Sequence, residues 1–243
     1  LASSPRTERK EIEPLTPEEA SRLIEGMRAD RFEVLYLAAL STGLRQGELL
    51  GLRWSDIDLE AGRLSVRQAR QRVKNAPQFA EPKTQRSRRT IALPRATARA
   101  LQAHRVSQLQ GRLVQGAKWE DNDLVFCTAL GRPLDASNVT HGFQRLLARL
   151  DIRRVRFHDL RHTCATFLLS QGVDLRTIME VLGHSQIGLT ANTYSHVMDR
   201  LKGDAADKMD LMLAANSGAG ERVPARVAVN VAVNAVDSAF PRP

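Results

Sequence analysis

The alternation of apolar and polar residues in the first part of the chain predicts helices, followed by a small sheet. Thr16, Pro17 and Glu19 are typical of an N-cap, a helix-first proline and a capping-box glutamate, so a helix is expected to begin there. The next segment, FEVLYLAALSTG, is apolar on nearly all sides, as in a central helix, and Gly43 is expected to end it. GELLGLRWSDID then predicts a short helix that runs into a turn.

Two segments alternate with the period of a β-strand. They are GRLSVRQAR and RRTIALP, and they predict strands of a small antiparallel sheet. The segment between them, KNAPQFAEPKTQ, is expected to be a loop. Further along the chain, LVFCT is a candidate for another short strand.

The second half of the chain returns to helical periodicity. A helix is expected from Pro94 to about Gln115, and others in NVTHGFQRLLARL, HDLRHTCATFLLSQG, DLRTIMEVLG, LTANTYSHV and HVMDRLKGDAADKMDLML. Gly172 and Gly183 are expected to end the HDLRHT and DLRTIM helices. The predicted fold class is therefore α+β and mainly α, in one domain over residues 16–213.

The composition changes after residue 213. In residues 214–243, valines at positions 227, 229, 231 and 233 alternate with alanine and asparagine. This alternation favours a strand that joins its own sheet or that of a neighbouring protomer, whereas the terminal position favours a disordered tail. The sequence leaves both alternatives open.

Hydropathy and cysteine content narrow the class of protein. No apolar run is long enough to span a bilayer, and LASSPRTERKEIEP lacks the apolar segment of a secretion signal, so a cytoplasmic protein is expected. The two cysteines, Cys127 and Cys164, form no CxxC pair. They support neither a disulfide framework nor a cysteine-based zinc site, and both are expected to be core thiols.

An excess of basic residues indicates a polyanionic partner. The formal net charge is +9, and much of it lies in the clusters RQARQRVK, KTQRSRR and DIRRVRF. Clusters that are separate in sequence can meet on one surface and neutralise several phosphates of a nucleic acid. Aromatic residues make up only 5% of the chain, which argues against a single-strand binder that stacks bases on aromatic rings.

The segment FHDLRHT places His158, Arg161 and His162 at spacings of three and four, which on a helix is one polar face. Alone, this motif is better explained by solvated basic residues beside a helix start. Four further motifs change the interpretation: STGLRQGELLGLRWSDID with Arg45, AEPKTQRSRRTIALP with Lys83, VLGHS with His184 and NTYSHV with Tyr194. Together and in this order, the five motifs resemble those of the tyrosine recombinases, the phage-integrase family.

The resemblance implies a helical tyrosine-recombinase catalytic domain with a small antiparallel sheet. It implies a site-specific recombinase or integrase in which a tyrosine attacks a DNA phosphate, leaving a 3′-phosphotyrosyl link and a free 5′-hydroxyl for rejoining. Because the bond energy is conserved, no cofactor is expected. Planar guanidinium groups suit the charge that gathers on the phosphate oxygens, and Arg45 and Arg161 are expected to bind it.

The remaining catalytic roles follow from the same resemblance. Lys83 is expected to protonate the leaving 5′-oxygen, and Lys74 in the same connection is the alternative. His158 is expected to accept or share the proton of the tyrosine, and His184 to hydrogen-bond the phosphate. Tyr194 is the expected nucleophile.

Other residues are expected to support the site. Glu48 matches an acidic position of the family and is expected to orient a cationic catalytic group, whereas His162 is expected to support the site or to pack. The residues expected to contact DNA are Arg86, Arg88 and Arg89. Tyr36, the only other tyrosine, lies in an apolar helix and is expected in the core. No metal site is predicted, because the HxxxH of FHDLRHT lacks the glutamate of a metalloprotease helix and a third ligand.

The resemblance also implies partners. Double-stranded DNA is expected, bound by a homo-oligomer that is tetrameric on paired sites and monomeric without DNA, with accessory directionality or DNA-bending proteins. Family members usually carry a further helical DNA-binding domain, so residues 1–15 are expected to be a linker remnant of one. Two other functions are alternatives: type IB topoisomerase-like relaxation of DNA, and a non-catalytic DNA-binding module.

Overall fold

The computed structural model describes residues 14–73, 76–81, 88–183, 207 and 209–213. The chain divides into two compact units, Leu1–Val197 and Met198–Pro243. In the second unit, residues 207 and 209–213 are helical and exposed. The predicted helix LTANTYSHV, the expected linker remnant before residue 14 and the segment 214–243 lie outside the described residues.

Helices dominate the described part of the first unit. They are α1 (Pro17–Gly26), α2 (Glu33–Thr42), α3 (Gln46–Leu50), α4 (Arg95–Gln115), α5 (Ala136–Arg149), α6 (Asp159–Ser170) and α7 (Leu175–Leu182). The predicted start of α1 is confirmed, because Thr16 Oγ1 accepts the backbone N–H of Glu19 at 3.2 Å and the Glu19 carboxylate accepts that of Thr16 at 2.9 Å. The predicted end of α2 is also confirmed, since Gly43 adopts the left-handed conformation with φ 62°.

The described residues between α3 and α4 form five short strands. They are β1 (Ile57–Asp58), β2 (Arg63–Val66), β3 (Ala69–Val73), β4 (Ala76–Ala80) and β5 (Arg89–Ala92). Strands β1, β2 and β5 form an antiparallel sheet in that order, and its register sets Leu64 opposite Ile91. Both of these side chains are buried, so this sheet presents one face to the core. The predicted small antiparallel sheet is confirmed.

The expectation of a loop over KNAPQFAEPKTQ is wrong for its first part, because Ala76–Ala80 forms β4. This strand pairs antiparallel with β3, with Arg70 opposite Phe79. The segment shows no clear alternation of apolar and polar residues, so its strand structure comes from the pairing rather than from a buried face. Pro77 has no N–H to donate, and a strand with one neighbour tolerates it.

The strand expected in LVFCT does not form. With the other described residues, this segment makes only isolated bridges, from Leu124 to Arg53 and from Cys127 to Pro133. Its backbone is held by a main-chain bond from Val125 N–H to the carbonyl oxygen of Leu52 at 2.9 Å, and by Gln108 Nε2, which donates to the carbonyl oxygens of Leu124 and Val125 at 3.1 and 3.0 Å. The apolar residues that suggested a strand are therefore explained by burial in the core and not by pairing in a sheet.

The core is assembled around α2. Tyr36, in the middle of this helix, is 1% exposed, and its ring centroid lies 5.4 Å from that of Phe143 on α5. A third ring, that of Phe157, lies 5.7 Å from Phe143 in an edge-on contact. Burial raises the pKa of Tyr36 well above its ordinary value. The prediction that Tyr36 belongs to the core is confirmed.

Both cysteines are free thiols. Cys164 is buried, and burial raises its pKa to about 12, so it packs as a small apolar group. Cys127 is partly buried, and its Sγ accepts a hydrogen bond from Gln108 Nε2. Among the described residues, no helix has both the length and the apolar character needed to cross a bilayer.

We expect Phe143→Ala to lower the free energy of unfolding by about 3–5 kcal/mol, because a fully buried ring leaves a cavity among the aromatic core residues. Leu113→Ala is the matched control, since Leu113 also lies on a helix but is 82% exposed. It should change the free energy of unfolding by less than about 0.5 kcal/mol. Urea denaturation measures both variants, and equal losses would contradict this description of the core.

Candidate active site

Arg45 lies where the core helix α2 turns into α3. Gly43 ends α2, and Arg45 is the N-cap residue of α3. Its side chain is 40% exposed, and Nη1 donates to Glu48 Oε1 at 3.0 Å. The Glu48 carboxylate also accepts the backbone N–H of Arg45 through Oε2 at 2.9 Å. One carboxylate therefore fixes both the main chain and the guanidinium of Arg45.

Arg161 is buried within the first turn of α6, and its exposure is 2%. Its Nη1 donates to the carbonyl oxygen of Gly43 at 2.7 Å, and its Nη2 donates to that of Leu182 at 2.6 Å. These carbonyl groups stand at the ends of α2 and α7, where helices have unsatisfied acceptors and partial negative charge. Arg161 thus joins two helix ends at the same place.

Three arginines bind successive carbonyl groups at the end of α7. Arg89 Nε donates to Val181 at 2.7 Å, Arg161 Nη2 to Leu182 at 2.6 Å, and Arg45 Nη2 to Gly183 at 3.3 Å. The three side chains come from β5, α6 and the start of α3, so tertiary packing alone brings them together. We call these three side chains and Glu48 the arginine cluster.

Glu48 is the buried anion of the arginine cluster, with 5% of its side chain exposed. Its two oxygens accept a fork from Arg89, from Nη1 to Oε1 at 3.1 Å and from Nη2 to Oε2 at 2.9 Å. Burial alone would raise the pKa of Glu48, but the hydrogen bonds and charges of Arg89 and Arg45 outweigh it and lower this pKa. The carboxylate is therefore ionised at neutral pH.

His158 stands at the N-terminus of α6 with an exposed side chain. Desolvation by the surrounding protein, followed by repulsion from Arg161, lowers its pKa below 6.5. The ring of His162, one turn later, lies 5.2 Å from that of His158 in an edge-on contact. Burial, with repulsion from His158, lowers the pKa of His162 to about 4. Both imidazoles are therefore neutral at pH 7.

The described residues thus bring Arg45, Glu48 and Arg161 into one place, with His158 on the helix of Arg161. The predicted site residues that lie outside the described residues are Lys83, Arg86, His184 and Tyr194, together with the alternative Lys74. Within the described ranges, no group of three or more His, Cys, Asp or Glu side chains is arranged to hold a metal ion.

Arg88 and Arg89 differ although they are neighbours. The Arg88 side chain is 57% exposed and forms a surface ion pair with Glu81, whereas that of Arg89 is 6% exposed within the arginine cluster. In this geometry the donors of Arg89 bind Glu48 and the carbonyl oxygen of Val181, and its expected contact with DNA stays a prediction. The alternation of RRTIALP already indicates this difference in burial, because Arg89 shares a strand face with the buried Ile91 and Arg88 does not.

The fold is that of a tyrosine-recombinase catalytic domain. A crystal structure of XerA recombinase matches with a TM-score of 0.64 and 26% identity, covering 79% of this chain and 65% of that one. The Tn1549 transposon integrase, solved in complex with transposon right-end DNA, matches in fold with a TM-score of 0.67 and 24% identity. It covers 77% of this chain and 62% of that one.

The chain belongs to the phage integrase family, whose sequence profile matches residues 13–200. Among its relatives, a XerC-like tyrosine recombinase of Caldanaerobacter subterraneus is 38% identical over 82% of this chain. XerC of Chlorobaculum tepidum is 32% identical over 86% of this chain. The chain spans 54% and 64% of the length of these two proteins. The family predicted from the five motifs is confirmed.

The pKa of His162 predicts a stability that depends on pH. The unfolded chain binds a proton at this residue below about pH 6.5, whereas the folded protein binds it only near pH 4. The free energy of unfolding should therefore fall as the pH drops through this interval. His162→Gln should remove up to about 1.4 kcal/mol per pH unit of that decline.

Urea denaturation between pH 4.5 and about 7.5 measures this pH dependence. The control is His141→Gln, which removes an exposed histidine of α5. An unchanged pH dependence in His162→Gln would show that the folded protein binds this proton as readily as the unfolded chain does.

Proposed function

We propose that the chain contains the catalytic domain of a site-specific DNA recombinase or integrase that works through a 3′-phosphotyrosyl intermediate. The convergence of Arg45 and Arg161 on the end of α7 carries this proposal. From Gly183 the chain passes directly to His184 and, ten residues later, to Tyr194. The two arginines and the expected nucleophile are thus connected by one short segment.

The arginine cluster is suited to a phosphodiester. Its guanidinium groups already bind carbonyl oxygens that carry partial negative charge, and a phosphate presents the same kind of acceptor with a full charge. The side chain of Arg45 is 40% exposed, and its hydrogen bond to α7 is the longest of the three. A DNA phosphate therefore reaches Arg45 before it reaches Arg89 or Arg161. Arg161 binds the same end of α7 and supplies a second, buried cation.

The reaction assigns one role to each expected residue. The Tyr194 oxygen bonds to phosphorus and passes its proton to His158, which is neutral at pH 7 and can accept it. The bond from phosphorus to the 5′-oxygen breaks, and this oxygen takes a proton from Lys83 while His184 donates a hydrogen bond to the phosphate. Rejoining reverses these steps, with the 5′-hydroxyl of a partner strand as nucleophile and Tyr194 as leaving group.

Double-stranded DNA is the proposed partner. The net charge of +9 supports it, as does the exposure of Arg88 beside the segment that carries Lys83 and Arg86. The Tn1549 integrase that shares the fold was solved with DNA. For strand exchange, we propose a tetramer on two paired sites, which accessory proteins direct.

Covalent trapping tests the proposed nucleophile. The chain is incubated with nicked duplexes of randomised sequence. After cleavage, the short fragment with the free 5′-hydroxyl diffuses away, so the strand cannot be rejoined and the protein stays linked to the 3′-phosphate. Wild-type protein should form a covalent adduct on a denaturing gel, and Tyr194→Phe should form none, because it lacks the attacking oxygen. Tyr36→Phe is the matched control and should form the adduct, since Tyr36 is buried in the core.

Two outcomes would overturn the proposed chemistry. One is an adduct that persists in Tyr194→Phe, and the other is the absence of any adduct from wild-type protein that binds the duplexes. Sequencing the trapped DNA identifies the preferred site. A plasmid with two copies of that site should then recombine, whereas relaxation of a plasmid without it would indicate topoisomerase activity.

We expect Arg45→Lys to lower the rate constant of cleavage by about 10²–10³-fold, because an ammonium cannot meet two phosphate oxygens in one plane. Single-turnover cleavage of the trapped site measures this rate. Arg112→Lys is the control, as Arg112 is a surface residue of α4 that pairs with Asp121. A similar rate in both variants would remove Arg45 from the catalytic groups.

A further inference from the structure

Arg89 occupies a buried position next to the proposed catalytic groups. It is the first residue of β5 and follows the segment that carries Lys83. Its guanidinium donates two hydrogen bonds to Glu48 and one to the carbonyl oxygen of Val181. A buried ion pair is stable only with such complete geometry, so the orientation of both side chains is closely fixed.

The Glu48 carboxylate transmits this order to Arg45. Its Oε1 accepts from Arg45 Nη1 as well as from Arg89 Nη1. If the carboxylate rotated to follow a different orientation of Arg45, it would lose its two hydrogen bonds from Arg89. The orientation of the Arg45 guanidinium therefore depends on a residue 44 positions away that it does not need to touch.

Arg89 also sets the charge that Arg45 presents. Two guanidinium groups share one carboxylate, so the trio keeps one unbalanced positive charge near the exposed Arg45. If Arg89 were neutral, Glu48 would offset more of the charge of Arg45, although Arg45 would still contact the same phosphate. The transition state, in which negative charge develops on the phosphate oxygens, would then be stabilised less, while the number of phosphates that the protein contacts would not change.

The same guanidinium fixes the end of α7. Gly183 has φ +67°, and a Cβ at this position would lie 2.9 Å from Arg89 Nη1. The last residue before His184 therefore packs directly on Arg89. Arg45 and the segment leading to His184 are thus held by a single side chain.

We propose that Arg89 is a positioning residue of the cleavage reaction, acting through Glu48 on the orientation and charge of Arg45 without contacting DNA. This inference rests on the proposed function. It replaces the DNA contact expected for Arg89 from sequence, and it distinguishes Arg89 from the exposed Arg88.

A double-mutant cycle tests the inference. The variants are Arg89→Gln, Glu48→Gln and the double variant, with Arg112→Gln as a control that loses one surface charge. Single-turnover cleavage is measured on a duplex that carries the site identified by trapping, at saturating protein concentration and below the unfolding temperature of each variant. Arg89→Gln should cleave about a hundredfold more slowly, as expected for a misplaced catalytic group. When Glu48→Gln is already present, adding Arg89→Gln should slow cleavage by less than about tenfold.

Binding of an uncleavable copy of the duplex separates positioning from DNA contact. Arg89→Gln should leave the dissociation constant and its salt dependence equal to those of Arg112→Gln. A direct phosphate contact would instead lower the slope of log affinity against log salt concentration by about one. That result, or equal slowing by Arg89→Gln in both backgrounds, would overturn the inference.

Two further comparisons complete the experiment. Arg89→Lys keeps the positive charge but cannot form the two parallel hydrogen bonds to Glu48. It should therefore cleave faster than Arg89→Gln and slower than wild type. If Arg89→Gln fails to fold, the comparison of Arg89→Lys in both Glu48 backgrounds gives the same answer. A wild-type adduct with no slowing in any Arg89 variant refutes this inference alone, whereas the absence of a wild-type adduct refutes the proposed function as well.

Discussion

The shared carboxylate of Glu48 is the interaction on which the rest of the site depends. Three guanidinium groups repel one another when they are brought together, and a protein without bound DNA has no phosphate to balance them. Glu48 neutralises part of this charge, and carbonyl groups at the ends of α2 and α7 provide further acceptors. The cluster therefore exists as a hydrogen-bonded network before any ligand arrives.

This requirement explains the architecture around the site. Helices α2 and α7 both end at the cluster, and α6 and β5 both begin there. Helix ends leave carbonyl groups without partners in the helix, so a fold that gathers them can hold buried arginines at little cost. The small sheet has a specific part in this arrangement, because β5 is the strand that carries Arg89 inward.

The sequence predicted the local features of this structure well and the non-local ones poorly. The capping box at Thr16 and the glycine that ends α2 are short-range signals, and both were predictable from them. By contrast, the bonds from Arg161 to Gly43 and from Arg45 to Gly183 join residues 118 and 138 positions apart. No periodicity contains such pairs, and only the order of the motifs suggested that these residues meet. The strand β4 was missed for the same reason, because it depends on its partner β3.

Gly43 shows how one position can be required twice. It allows α2 to stop by adopting φ 62°, and its carbonyl oxygen accepts a hydrogen bond from Arg161. A Cβ at this position would lie 2.4 Å from Leu182 Cδ2, so even asparagine, which tolerates the left-handed conformation, would force the buried Leu182 side chain to move. A saturation scan would therefore score Gly43 as intolerant as an active-site residue, although it contributes no side chain. Mutational sensitivity at this position measures the geometry of the main chain, not chemistry.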